Sequence, residues 1–195
     1  LLLYPTLIAP LFNTFTPLED GAMRQRIEGL LSRCGFQSKG LFVMDGSKRS
    51  AHGNAYFTGI GRNKRIVFFD TLLEKLDPAE VEAVLAHELG HFRRRHVQKR
   101  IVMLAALSLG FLWLLAQLMT SEAFFLGLGV HTAGTAMALI LFAQVMSVFT
   151  FPFSPVFSAL SRKHEYEADA YAASQSNASD LIAALVKLYR DNAAT

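Results

Sequence analysis

The chain has 195 residues, 52% of them hydrophobic, with a mean hydropathy of +0.29 and a formal net charge of +3. That apolar share lies above the roughly 45–50% usual for soluble domains. The single cysteine, Cys34, excludes an intrachain disulfide and a cysteine-rich zinc site, and reads as a small buried apolar residue.

Leu1 to Phe12 is apolar, broken by Pro5 and Pro10, and lacks the charged n-region of a signal peptide. It reads as the exit of a membrane helix or an interfacial stretch, so the chain is expected to be a fragment. Thr16-Pro17-Leu18-Glu19 has the order of a capping box. It predicts a helix to about Cys34, with Ile27, Leu30 and Leu31 on one face and Gly35 as its stop. Leu41–Met44 predicts a short strand before a turn at Asp45-Gly46, and Ser47-Lys48-Arg49-Ser50 reads as a solvated loop. Strands near Ala55–Thr58 and Ile66–Phe69, parted by a polar turn around Gly61–Lys64, predict a hairpin. The first of these is either a plain sheet strand or an edge that hydrogen-bonds an extended peptide substrate. In the second case Asn54 and Ala55 are the positions nearest a metal.

The chain is organised around Ala83–Phe92, which contains His87-Glu88-Leu89-Gly90-His91. Asp77 can cap a helix here, Pro78 suits its first position, and Glu80 falls where a capping box places its acid. Val81, Val84, Leu85, Ala86 and Leu89 supply apolar surface at helical spacing. Two histidines four apart project from one side of a helix, so both imidazoles can reach one zinc-type ion. Glu88 stands about 100° round from His87, placed to take a proton from water rather than to bind the ion. The chemistry this points to is peptide hydrolysis by a zinc-activated water. The motif alone also suits a solvated helix with two histidines, but the cap and apolar flanks imply burial.

Arg93, Arg94, Arg95, Lys99 and Arg100 close this helix with positive charge. No aromatic residues interleave with them and an apolar run follows at once, which excludes nucleic acid as a partner. From Arg100 to Arg162 the intervening chain carries no Lys, Arg or Asp, and one Glu, Glu122. Ile101 to Met119 is long enough, at about 1.5 Å per residue, to cross a hydrocarbon core. Thr120-Ser121-Glu122 is a polar break, Phe124–Gly134 is apolar and glycine-rich, and Thr135 to about Phe151 predicts a second span. His131 reads as an interfacial polar residue, and Pro152 and Pro155 mark the end of the span or a kink. Arg162 and Lys163 restore positive charge, so both flanks of the hairpin face the cytoplasm by the positive-inside rule.

A catalytic zinc usually takes three protein ligands. His164–Ala172 is strongly helical, and its Glu165 and Asp169 lie four apart on one face. Glu165 is assigned to the metal. Asp169, one turn on, is placed to hydrogen-bond a ligating histidine or the reacting group. The same residues also suit a solvated acidic helix, but paired carboxylates one turn apart repel unless a cation sits between them. His96 and His164 are weaker ligand candidates.

At these residues the chain resembles the M48 zinc metallopeptidases, in particular the Ste24-type membrane CAAX prenyl proteases. The likeness is carried by Met44–Ser50, Asn54–Gly59, Lys64–Val67, Asp70–Leu73, His87–His91 and Glu165–Ala170, and covers nearly the whole chain. The resemblance implies that His87, His91 and Glu165 bind one Zn2+ per chain. It implies Glu88 as catalytic base and Asp169 as proton donor. Family members also carry further membrane helices before the part matching Leu1, and a further histidine after the part matching Thr195.

The expected fold is a mainly α-helical membrane protein with a small β-hairpin or sheet beside a zincin-type helix and two transmembrane helices. Its expected parts are a membrane-helix end at residues 1–12, a metallopeptidase core at 13–100, a transmembrane hairpin at 101–157, and a helix with the third ligand at 158–195. The expected partners are a lipid bilayer and a peptide or protein substrate, a prenylated C-terminal peptide being one candidate. The expected place is the bacterial inner membrane or endoplasmic reticulum, with the catalytic side cytoplasmic. An HtpX-like quality-control protease and an inactive zinc-bound membrane scaffold are the alternatives.

Overall fold

The computed structural model describes residues 9–48, 54–58 and 64–193. Residues 1–8, the end of the Ser47–Ser50 loop and most of the Gly61–Lys64 turn lie outside the described residues. The chain divides into two units, residues 1–94 with 166–195, and residues 95–165.

The first unit opens with a short helical turn, α1 (Ala9–Phe12), and a strand, β1 (Phe15–Pro17). The helix expected from Thr16-Pro17 instead begins later, as α2 (Ala22–Arg33). Thr16 and Pro17 pair with Val43 and Phe42 of β2 (Leu41–Met44), and Leu18 N–H donates to Leu41 O at 2.9 Å. β1 lies at the sheet edge, the one place where a proline costs a strand little. Ile27, Leu30 and Leu31 of α2 are buried as their spacing predicts, and Gly35 follows with φ 62°.

β3 (Ala55–Thr58) and β4 (Arg65–Phe69) pair antiparallel, as the hairpin reading predicts. β4 also runs parallel to β2, which gives the sheet order β1-β2-β4-β3. β3 is therefore an edge strand. After β2, the Asp70 carboxylate at the start of α3 (Asp70–Lys75) takes the Ser47 N–H at 2.9 Å and the Ser47 hydroxyl, tying the turn to β4.

α4 (Pro78–Arg93) then forms with its capping box complete: Asp77 caps, and Glu80 takes the Asp77 N–H at 2.8 Å. Val81, Ala83, Leu85, Ala86 and Leu89 are buried against α2, the sheet and the C-terminal helices. Three ion pairs fix it further. Glu82 takes Arg26 at 2.9 Å and Arg33 at 2.7 Å from α2. Glu80 takes Lys187 at 2.7 Å from α9 (Ala178–Ala193). Residues 158–195, expected as one helix, hold two: α8 (Ser154–Gln175) stops, and Asn177 Oδ1 takes the Ser179 N–H at 3.1 Å as α9 begins.

In the second unit, α5 (His96–Leu118) starts five residues before the apolar run, after Arg95 takes a left-handed turn at φ 56°. α6 (Glu122–Gly127) and α7 (Thr135–Thr150) follow. Phe151–Phe153 make a tight turn at Pro152, and α8 passes Pro155 in its first turn, where proline is tolerated. Two helical stretches, His96–Leu118 and Thr135–Gln175, are long and apolar enough to cross a membrane by length and composition. Their lipid-type side chains, such as Trp113 and Val148, face outward.

Candidate metal centre

α4 supplies His87, Glu88 and His91, all half-buried. The two imidazoles meet edge to face, with Nε2 of His87 and Nε2 of His91 at 3.1 Å. The third contributor comes from α8. Asp169 Oδ1 lies 2.8 Å from His87 Nδ1, so the carboxylate engages the ring nitrogen that points away from His91. One turn earlier on the same unbroken helix, Glu165 offers a carboxylate oxygen to the same cluster. The ligand atoms of His87, His91 and Glu165 all lie within 4.8 Å of one another.

This close approach depends on a residue that the sequence reading did not single out. Gly90 sits between Leu89 and His91 on α4, facing Ala168 of α8. A Cβ at position 90 would stand 2.9 Å from Ala168 Cα and 3.1 Å from Ala168 O. Ordinary carbon contacts are about 3.5–4.0 Å, so only glycine lets the two helices approach this far. A sequence signal for it exists. Glycine inside a helix costs about 1 kcal/mol relative to alanine, and its presence there suggests a packing reason.

The donor set suits zinc. Two imidazoles and a carboxylate are a common catalytic set, and two nitrogens bound to one tetrahedral zinc at about 2.0–2.1 Å stand roughly 3.3 Å apart. The 3.1 Å between the two Nε2 atoms is close to that spacing. The Asp169 contact is the outer hydrogen bond that ligating histidines usually make. The weaker candidates sit elsewhere: His96 is buried and stacks on His164, ring centroids 4.1 Å apart.

Asn54 and Ala55 stand at the start of the edge strand. Phe69 N–H donates to Asn54 O at 2.9 Å. By the alternation of an antiparallel ladder, the backbone groups of Asn54, Tyr56 and Thr58 face β4, and those of Ala55 and Phe57 face the open edge. Asn54 Oδ1 takes the Ala55 N–H at 2.8 Å.

The model of peptidase family M48 matches residues 17–195. The chain belongs to peptidase family M48. It is 42% identical to the CAAX prenyl protease 1 homolog of Arabidopsis thaliana, over 97% of this chain and 45% of that protein. To CAAX prenyl protease 1 of Saccharomyces cerevisiae it is 36% identical, over 98% of this chain and 46% of that one. The crystal structure of S. mikatae Ste24p superimposes with a TM-score of 0.83 at 35% identity, over 98% of this chain and 48% of that chain. The chain thus spans about half the length of these M48 relatives. The mainly helical fold with its small sheet, expected from the sequence, is the fold of this solved relative.

Proposed function

We propose that the chain carries the catalytic region of a zinc-dependent membrane metalloendopeptidase, acting on peptides that include prenylated C-terminal ones, as the names of its relatives suggest. The observation that supports this most is the convergence of His87, His91 and Glu165, with Asp169 on His87. Those three residues would hold one zinc ion per chain. When bound, zinc supplies a Lewis acid that lowers the pKa of water toward about 7 and polarises a scissile carbonyl.

The chain's own residues do the rest. Asp169 accepts the His87 Nδ1–H, which orients the ring so that Nε2 is its ligating atom. Glu88 accepts a proton from the attacking water. The water oxygen bonds to the scissile carbonyl carbon, and the peptide C–N bond breaks as the proton taken up by Glu88 reaches the leaving amine, directly or by way of the second oxygen of Asp169. The substrate lies extended along β3, hydrogen-bonded to the outward carbonyl of Ala55 and the outward N–H and carbonyl of Phe57. The Asn54 side chain holds the Ala55 N–H and so shapes the start of that edge.

Residues 13–100 and 158–195 form the catalytic region in this reading, and residues 101–157 form a membrane hairpin. Lys99, Arg100, Arg162 and Lys163 flank the hairpin, and by the positive-inside rule they support a catalytic side facing the cytoplasm, in a bacterial inner membrane or the endoplasmic reticulum. The test uses the full-length protein in membranes with a prenylated peptide. Glu88→Gln is expected to retain one zinc by metal analysis and to lose turnover. Wild-type rates in that variant would end the hydrolase reading.

A further inference from the structure

Behind the metal helix lies a pocket of about 210 Å³, lined by Cys34 and Phe36 after α2, Lys64 before β4, Phe92 and Arg93 on α4, and Tyr171 on α8. It is separate from the metal centre. Phe92 and Arg93 stand about 140° and 240° round α4 from His87, and Tyr171 stands about 200° round α8 from Asp169. None of His87, Glu88, His91, Glu165 and Asp169 lines it, although Phe92 stands one turn beyond Glu88 on α4.

Its chemistry is one-sided. The Lys64 ammonium lies over the Phe92 ring at 4.0 Å and the Phe36 ring at 4.9 Å. Two aromatic faces hold that charge at the pocket wall without neutralising it. Arg93 adds a second cation, and no Asp or Glu lines the pocket. Among the described residues, no carboxylate pairs with Lys64 or Arg93. The remaining wall is mainly apolar, from Leu89 and the two rings, with Tyr171 and Cys34 beside them. An apolar cavity of about 150 Å³ holds benzene, so this pocket has room for one ring bearing a charged group.

We propose that this pocket binds a small organic anion, a carboxylate or phosphate met by Lys64 and Arg93, with its apolar body against Leu89 and the rings of Phe36 and Phe92. Cys34, the only cysteine in these 195 residues, reports on occupancy because it is one of the residues that line the same cavity. The experiment is Cys34 alkylation by N-ethylmaleimide in the full-length zinc-loaded protein, followed by mass spectrometry at that residue. Sodium benzoate is expected to slow the alkylation severalfold and saturably, while neutral benzamide does not. Arg93→Gln and Lys64→Gln are each expected to weaken the protection, with folding checked by thermal unfolding. The benzoate and benzamide comparison needs no variant. Protection by inorganic phosphate as well would show that the charge alone suffices, and protection by benzoate alone would show that the apolar wall contributes; both support the site. Equal protection by benzoate and benzamide, or none by either, would overturn it.

Discussion

Gly90→Ala tests whether helix approach sets the metal centre. The new Cβ would meet Ala168 Cα at 2.9 Å, its carbonyl oxygen at 3.1 Å and Tyr171 Cβ at 3.2 Å. Restoring carbon contacts to about 3.5–4.0 Å requires α8 to recede by roughly 0.6–1 Å. The opposing atoms are largely backbone, which cannot rotate aside. A shift of about 0.6 Å stretches the His87–Asp169 contact from 2.8 Å toward the limit of a hydrogen bond. Glu165, one turn upstream, is carried back with it. Loss of such an outer contact costs about 10–100-fold in metal affinity, or roughly 1.4–2.7 kcal/mol. The fold has compensation, because alanine gains about 1 kcal/mol of helix propensity over glycine against about 1–3 kcal/mol of overpacking. The expected signature is a large loss of zinc affinity with a small change in thermal midpoint. Chelator competition measures the first, and unfolding of the metal-free protein measures the second. Gly110→Ala is the control, since a Cβ at position 110 meets nothing within 4 Å. Wild-type zinc affinity and turnover in Gly90→Ala would refute the reasoning.

Asp169→Asn keeps the size of the side chain but removes its charge from His87, so zinc affinity is expected to fall about 10–100-fold by chelator competition. Chelation of the native protein should abolish peptide cleavage and leave circular dichroism nearly unchanged, because the buried cluster around Ile27, Phe68 and Leu85 does not depend on the ion; re-addition of zinc should restore activity. Glu82→Gln removes the carboxylate shared by Arg26 and Arg33 and should cost about 1 kcal/mol in denaturant unfolding, the two arginines being half exposed. The Lys187 ammonium is held above the ordinary lysine range, through its hydrogen bond to Glu80 first and to Asp77 next. That contribution is complete below the unfolded lysine value near 10.5 and is lost as pH rises through the higher folded value. The stability of the wild type should therefore fall in strong alkali, measured by denaturant unfolding, in a way that the stability of Lys187→Met does not.

How far the sequence could be read follows from the range over which each feature is encoded. The capping box at Asp77 and Glu80 and the paired histidines of α4 lie within a few residues, and one helical period fixes their relation. Strands β3 and β4 were legible for the same reason, as β-branched and aromatic runs either side of a polar turn. β1 was not. Phe15–Pro17 becomes a strand only because Leu41–Met44 offers it a partner, and the capping-box order at Thr16 reads equally well without one. The break between α8 and α9 was missed because an alanine-rich helical stretch masks one Asn177 turn. Glu165 and Asp169 were chosen by their spacing along α8. Their distance from His87 is a different kind of quantity, because the Asp169 contact spans 82 positions of chain. It is decided by how closely two helices can pack, and that closeness depends on the missing side chain at Gly90. Residue chemistry thus selects the groups able to hold an ion, and a single absent methyl brings them within reach of it.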